Sequence, residues 1–327
     1  MAIPTLRYDL RQAPFAETSH AERYEAALEQ CAWADERGFS SVVLSEHHGV
    51  DDGFLPAPLV FAAAVAGRTR RVLITVSALI VPLHDPIRLA EEIAVLDLAS
   101  GGRIAIVAGI GYRPEEFEMF GIDRSRRGGI LEEHIDVLRQ AWTGEPFSYR
   151  GRTVRVTPTP LQQPHPTMFI GGSTELAAKR AARLRLPFFP GIGDPALAEA
   201  YEAECARVGY DGGFTVLPKG PGFVHVADDP DKAWAEIAPY ALYDATTYAS
   251  WQTRGQRSQV TTEATTAEEL RASGVYVVVT PEECVALAKE VGPTGGLVLH
   301  PLMGGMPPEL GWQSLELFVS KVLPKLG

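Results

Sequence analysis

A carboxylate and two imidazoles stand together at Glu46-His47-His48, directly behind the apolar run Val42-Val43-Leu44. Imidazoles titrate near neutral pH, and a nearby carboxylate fixes which ring nitrogen carries the proton. The trio suits proton transfer or the orientation of a polar reactant. Adjacent side chains on extended backbone point to opposite sides, so two neighbouring histidines rarely close on one metal ion. His47 is therefore the candidate catalytic residue and Glu46 its candidate orienting partner. No metal site is expected. Polar filling of a strand end is the plainer alternative.

Three further segments have residue types that let a ligand approach the backbone. Gly109-Ile110-Gly111-Tyr112 follows a strand-like run, and its glycines permit φ > 0 and close approach. Pro114 stands where the dinucleotide fingerprint needs its third glycine, so a Rossmann-type NAD site is not expected. Gly171-Gly172-Ser173-Thr174 joins a strand-like run to a helix-like run. Its amides, with Ser173 or Thr174 as helix cap, suit a phosphate, although an ordinary capped glycine turn has the same composition. Small side chains in Thr75-Val76-Ser77-Ala78 would let a planar group lie against the chain. Walker A, G-x-S-x-G and H-E-x-x-H patterns are absent from the sequence. Tyr240, Tyr243, Tyr248 and Trp251 lie near helical spacing, read first as core packing and second as an apolar pocket lining. His225 reads as a core histidine, and His300 to Gly305 as a stretch that could border a pocket.

These groups need elements to hold them. Candidate strands are Thr5–Tyr8, Ser41–Ser45, Val72–Leu79, Ile104–Ala108, Met168–Gly171, Pro187–Pro190, Gly222–Val226 and Leu297–His300. Several are apolar on both faces, as parallel strands covered by helices are. Ser19 to Glu22 forms a capping box. Asp85-Pro86, Asp194-Pro195, Asp229-Pro230 and Thr280-Pro281 read as N-cap followed by Pro at the first helical position. Repeated strand, short loop and capped helix predict a (β/α)8 barrel with short insertions, one domain over residues 1–327, with an open doubly wound sheet as the rival. The insertions are a hairpin around Arg150-Gly151 and a polar stretch, Thr253 to Gly274, read as a mobile loop. In such a barrel the functional groups follow the strand C-terminal ends.

Composition narrows the partners. With 30 basic and 41 acidic residues the net charge is −11, which disfavours nucleic acid and anionic membranes. Cys31, Cys205 and Cys284 are far apart and read as small buried residues rather than a disulfide or zinc framework. Without a signal-like leader or a membrane-length apolar run, a cytoplasmic protein is the default expectation.

Taken in order, the motifs resemble the bacterial luciferase-like flavin oxidoreductases. The matching pieces are Ser45-Glu46-His47-His48, Ser77 to Pro82, Asp85 to Arg88, Leu96-Asp97 with Ser100 to Arg103, Gly109-Ile110-Gly111 with Glu116-Phe117 and Phe120-Gly121, Ile170 to Ser173, and Val322-Leu323-Pro324 near the C-terminus. The resemblance implies a TIM barrel with a flavin at its C-terminal mouth. His47 matches the family's active-site histidine, and Ser77-Ala78 its non-prolyl cis peptide against the ring system. Gly111 and Tyr112 fall where the chain approaches the flavin, and Gly171, Gly172, Ser173 and Thr174 at the phosphate turn. Gly109 and Ile110 replace the luciferase cysteine and arginine, which points away from light emission and leaves Arg113 as a substitute phosphate partner.

The implied activity is monooxygenation of a small, largely apolar organic substrate by reduced FMN and O2. A separate flavin reductase and a homodimer accompany it. One alternative is F420-dependent hydride transfer on the same fold. Another is a non-catalytic flavin-binding barrel.

Overall fold

The computed structural model describes residues 2–252 and 257–326. Eleven strands occur among them: β1 (Ile3–Tyr8), β2 (Ser41–Leu44), β3 (Leu73–Ile80), β4 (Ile104–Gly109), β5 (Phe147–Tyr149), β6 (Arg152–Val154), β7 (Thr167–Gly172), β8 (Phe188–Pro190), β9 (Phe223–Val226), β10 (Tyr276–Val279) and β11 (Gly296–Leu299). The helices are α1 (His20–Asp35), α2 (Pro58–Arg68), α3 (Pro86–Ser100), α4 (Pro114–Met119), α5 (Arg127–Trp142), α6 (Glu175–Arg183), α7 (Pro195–Val208), α8 (Pro230–Ser250), α9 (Ala267–Ala272), α10 (Pro281–Val291) and α11 (Pro308–Leu317), with short 3₁₀ and π turns between some of them.

Seven strands form one parallel sheet in the order β11-β1-β2-β3-β4-β7-β8. It curls, so that alternate side chains converge on a concave side. Burial follows that alternation. Val42, Leu44, Ile74, Val76, Leu297 and Leu299 are fully buried on the helix-covered side, whereas Val43, Thr75 and Val298 are only half-buried on the concave side. The apolar layer between sheet and helices is the main core, and Cys31, Cys205 and Cys284 are free thiols in it.

The structure corrects the predicted ring at one place. Phe223–Val226 does not join the seven-stranded ladder; it pairs in parallel with β10, a strand the sequence analysis does not predict. Both strands begin at the mouth instead of ending there. The Phe223 ring lies 5.0 Å from His300, which follows β11, and the Tyr276 hydroxyl donates to Asp244 at 2.7 Å. Beside β8 the chain near Thr215 makes a single parallel bridge. Phe188 N–H reaches Phe214 O at 3.0 Å, and Val216 N–H reaches Phe188 O at 2.9 Å.

Local signals hold better. Ser19 with Glu22 closes a capping box on α1, and Asp85, Asp194, Asp229 and Thr280 cap α3, α7, α8 and α10. The hairpin β5–β6 turns at Arg150-Gly151 as expected. The stretch predicted as a mobile loop contains α9, capped by Thr266 with Glu269, while its residues 253–256 lie outside the described residues. With 21 residues, α8 is long enough (about 32 Å) to bring Tyr248 and, at its C-cap, Trp251 to the mouth. Among the described residues no helix is long and apolar enough to cross a membrane.

Candidate active site

The site is built on the C-terminal ends of the parallel strands. After β2, strand alternation separates the two acid–base candidates. Glu46 turns away from His47. It accepts from His48 Nε2 at 2.9 Å, from His84 Nε2 at 2.8 Å and from the Ile80 N–H at the end of β3. The expected Glu46–His47 pairing is thus replaced: the carboxylate on His47 belongs to Glu116 of α4, whose Oε1 lies 2.8 Å from Nδ1.

Glu116 is a fixed acceptor. Its Oε1 also takes the His48 N–H at 3.0 Å and lies 3.6 Å from Arg113 Nη1. With Nδ1–H committed to Glu116, His47 Nε2 is left as the acceptor, 3.1 Å from the Tyr112 hydroxyl. Burial lowers the His47 pKa, so the imidazole is held in its neutral form. Phe54, Trp251 and Tyr112 ring it at centroid distances of 4.8, 4.9 and 5.3 Å. The aromatic stripe therefore divides: Tyr240 packs on Phe15, while Tyr248 and Trp251 face His47. The Trp251 ring has the guanidiniums of Arg113 and Arg11 at 4.5 and 4.8 Å from its centroid. Arg113, the proposed phosphate substitute, instead bonds the His48 carbonyl at 2.9 Å.

The predicted cofactor residues lie on neighbouring strand ends. The Ser77–Ala78 peptide is cis, and the β3–β4 register shifts between Ser77 and Leu79. Gly109 faces Ala78 so closely that an added Cβ would lie 2.8 Å from the alanine Cβ. Gly111 has φ +71°, and a Cβ there would strike Ile80 and Phe117. At the end of β7, Gly171 packs on Val107, while Gly172 has φ +146° and room for no Cβ against Ala177. Thr174 is the α6 N-cap, accepting from Ala177 N–H at 3.2 Å. The Ser173 hydroxyl accepts from Arg257 N–H at 3.0 Å and keeps its proton to donate.

Two groups escape the sequence reading. Arg124, Arg127 and Arg180 gather between the β4 loop and α6. Arg180 is paired with Glu132 at 2.8 Å, Arg124 bonds the Tyr112 carbonyl, and Arg127 has a buried Nε without a partner among the described residues. Burial and then the two neighbouring arginines lower the Arg127 pKa. The run Arg124-Ser125-Arg126-Arg127 is the signal that could have found them. The second group is a buried ionic network after β1 and β11. Arg11 is held by Asp52 at 2.7 Å and Asp244 at 3.1 Å, and Asp9 lies 3.5 Å from His300. Asp9, Asp244 and His300 bring ligand atoms within 4.8 Å of one another, but the Asp244 oxygens are taken by Arg11 and Tyr276.

The Glu46 cluster has a pH signature. Burial alone would raise the Glu46 pKa; the bonds from His48, His84 and Ile80 N–H outweigh it and hold the group at about 2. Burial likewise lowers His84, but Glu46 outweighs it and raises the net pKa. Glu46 stabilisation is present above its unfolded value of 4.5 and disappears as pH falls towards 2. His84 stabilisation is present below 6.5 and disappears as pH rises past its raised value. Glu46→Gln is expected to cost about 1–3 kcal/mol in urea melts, most between these two unfolded values. A loss that does not vary with pH would contradict this.

The chain belongs to the luciferase-like monooxygenase family, whose model matches residues 9–296. The uncharacterized protein y4vJ of Sinorhizobium fredii (strain NBRC 101917 / NGR234) is 30% identical over 170 residues, 50% of this chain and 48% of its own. The match thus spans about half the length of that curated relative. Limonene 1,2-monooxygenase of Rhodococcus erythropolis is 27% identical over 314 residues, covering 91% of this chain and 80% of its own.

Among solved structures, monooxygenase RslO1 from Streptomyces bottropensis superposes with a TM-score of 0.74 at 24% identity, over 100% of both chains. The oxygenating constituent of 3,6-diketocamphane monooxygenase from Pseudomonas putida, in complex with FMN, gives 0.71 at 20%, over 99% of both. An F420-dependent secondary alcohol dehydrogenase bound to an F420-acetone adduct gives 0.69 at 18%, over 100% of both. The three structures share the fold.

Proposed function

We propose that this chain is the oxygenase of a flavin-dependent monooxygenase that uses reduced FMN and O2 on a small organic substrate, with a separate flavin reductase supplying the reduced cofactor. The observation that carries this reading is the geometry of His47, with Nδ1 2.8 Å from Glu116 and Nε2 turned to the Tyr112 hydroxyl at the mouth. In this reading the curled sheet, with the Phe214–Val216 segment as its remaining stave, is a (β/α)8 barrel wall. His47 is its catalytic residue, and Glu46 braces the loop through His48 and His84.

The residues present fit a flavin phosphate. Among the described residues only Arg180 of the three arginines has a carboxylate within 4.0 Å, Arg127 Nε is buried without a partner, and Gly172 to Thr174 form a turn at the start of α6. Arg127, the Ser173 hydroxyl and the turn amides would hold the phosphate. Ala78, Gly109 and Gly111 would leave room for the ring system. When bound, reduced FMN supplies the electrons that activate O2. His47 Nε2 and the Tyr112 hydroxyl hold a proton at the mouth, and Phe54, Tyr248 and Trp251 exclude water from it.

The fold is shared with both an FMN complex and an F420 complex, so binding decides between them. Anaerobic titration with photoreduced FMN is expected to show saturable binding, with substrate-stimulated O2 consumption once air is admitted. Binding of F420 in preference to FMN would move the assignment to hydride transfer. Flavin binding without turnover of any substrate would leave a non-catalytic barrel.

A further inference from the structure

The concave side of the sheet offers Val43, Thr75, Phe169, Phe189 and Val298, all half-buried and mostly apolar. Into this surface β1 sends the guanidinium of Arg7. Arg11 is paired with Asp52 and Asp244; Asp9 and Asp244 lie near enough to Arg7 to favour its charge, but neither bonds it, and Asp9 Oδ2 is itself buried without a hydrogen-bond partner among the described residues. Among the described residues Arg7 has no carboxylate within 4.0 Å. Its Nη2 donates to the Tyr248 hydroxyl at 2.8 Å, and its Nε is buried without a partner. The rings of Phe223 and Tyr248 lie 5.2 and 5.8 Å from its central carbon.

With Nη2 already bonded to Tyr248, the buried Nε–H is the group left without an acceptor, and leaving it so is costly. A carboxylate matches the planar fork of Arg7 and its charge, whereas an amide matches only the hydrogen bond and an ammonium neither. We propose that Arg7 anchors the carboxylate of a substrate whose apolar body lies along Val43, Thr75, Phe169, Phe189 and Val298. The proposal rests on the mouth being the substrate site of the oxygenase, and it replaces a wholly apolar substrate by an apolar acid.

The test is calorimetric titration of the purified chain with phenylacetate, phenylacetamide and phenethylamine, which share one aryl body. Phenylacetate is expected to bind about tenfold or more tightly than either competitor. Arg7→Met, with its circular dichroism unchanged, is expected to erase that preference, and Arg7→Gln to reduce it. Equal binding of the three, strongest binding of the amine, no binding by any, or a preference that survives in Arg7→Met would each overturn the proposal. Should neither variant fold, a crystal structure of the wild-type phenylacetate complex decides it: a carboxylate within hydrogen-bond distance of Arg7 supports it, and any other position overturns it. These readouts involve neither flavin nor turnover, so a failed flavin titration and a failed acid preference remain distinct.

Discussion

His47→Ala is expected to lower turnover by about a hundredfold to ten-thousandfold, the range for removal of a positioned acid–base group. The structure gives this side chain two specific contacts, Glu116 on Nδ1 and Tyr112 on Nε2, and alanine removes both. The proposed phosphate turn at Gly172 to Thr174 stands on another strand, so cofactor affinity should change far less than turnover. Steady-state rates with matched flavin titrations would separate the two. A variant retaining turnover within about threefold would contradict the role. Glu116→Gln provides the positioning counterpart. It keeps a hydrogen bond but removes the carboxylate that fixes the imidazole tautomer, so its loss should be smaller and its pH profile displaced.

The largest effect on stability is expected at Arg11. Its guanidinium is fully buried between Asp52 and Asp244, and it packs on the rings of Tyr248 and Trp251. Arg11→Met leaves two buried carboxylates without their cation. Breaking a buried pair in this way costs about 3–5 kcal/mol. Urea melts followed by circular dichroism should show the midpoint fall with little change in slope. The double variant Arg11→Met/Asp52→Asn should recover part of the loss by removing one stranded charge. A single variant as stable as the parent would show that the network contributes nothing to folding.

Much of this architecture was legible because it is encoded locally. Asp-Pro and Thr-Pro steps that follow a strand-like run and precede an amphipathic stretch cap α3, α7, α8 and α10, so those helices announced themselves, whereas Thr157-Pro158 and Thr159-Pro160 start no helix. Strands apolar on both faces marked the sheet. The error at Phe223–Val226 arose because parallel pairing gives the same residue pattern whichever sheet supplies the partner. Nothing in those four residues says that Tyr276–Val279 lies beside them. The Phe214–Val216 bridge, too brief to carry a periodicity, was invisible for the related reason of length.

In the site, His47 and the glycine turns were legible because each stands directly behind an apolar strand-like run, where a parallel sheet carries its functional groups. The partner of His47 was not. Period-two alternation already placed Glu46 on the opposite side, but selecting Glu116 required knowing how α4 packs across the mouth. The Arg11 network joins residues 9, 11, 52, 244 and 300, and separations that long leave no local trace.

The indole of Trp251, with two guanidiniums and an imidazole within about 5 Å of its ring, is also an optical reporter. Its emission depends on the charge and polarity of those neighbours, so protonation of the imidazole or the arrival of a ligand ring should alter its intensity or colour. Events at the mouth can thus be timed in a stopped-flow instrument with native fluorescence and no added label.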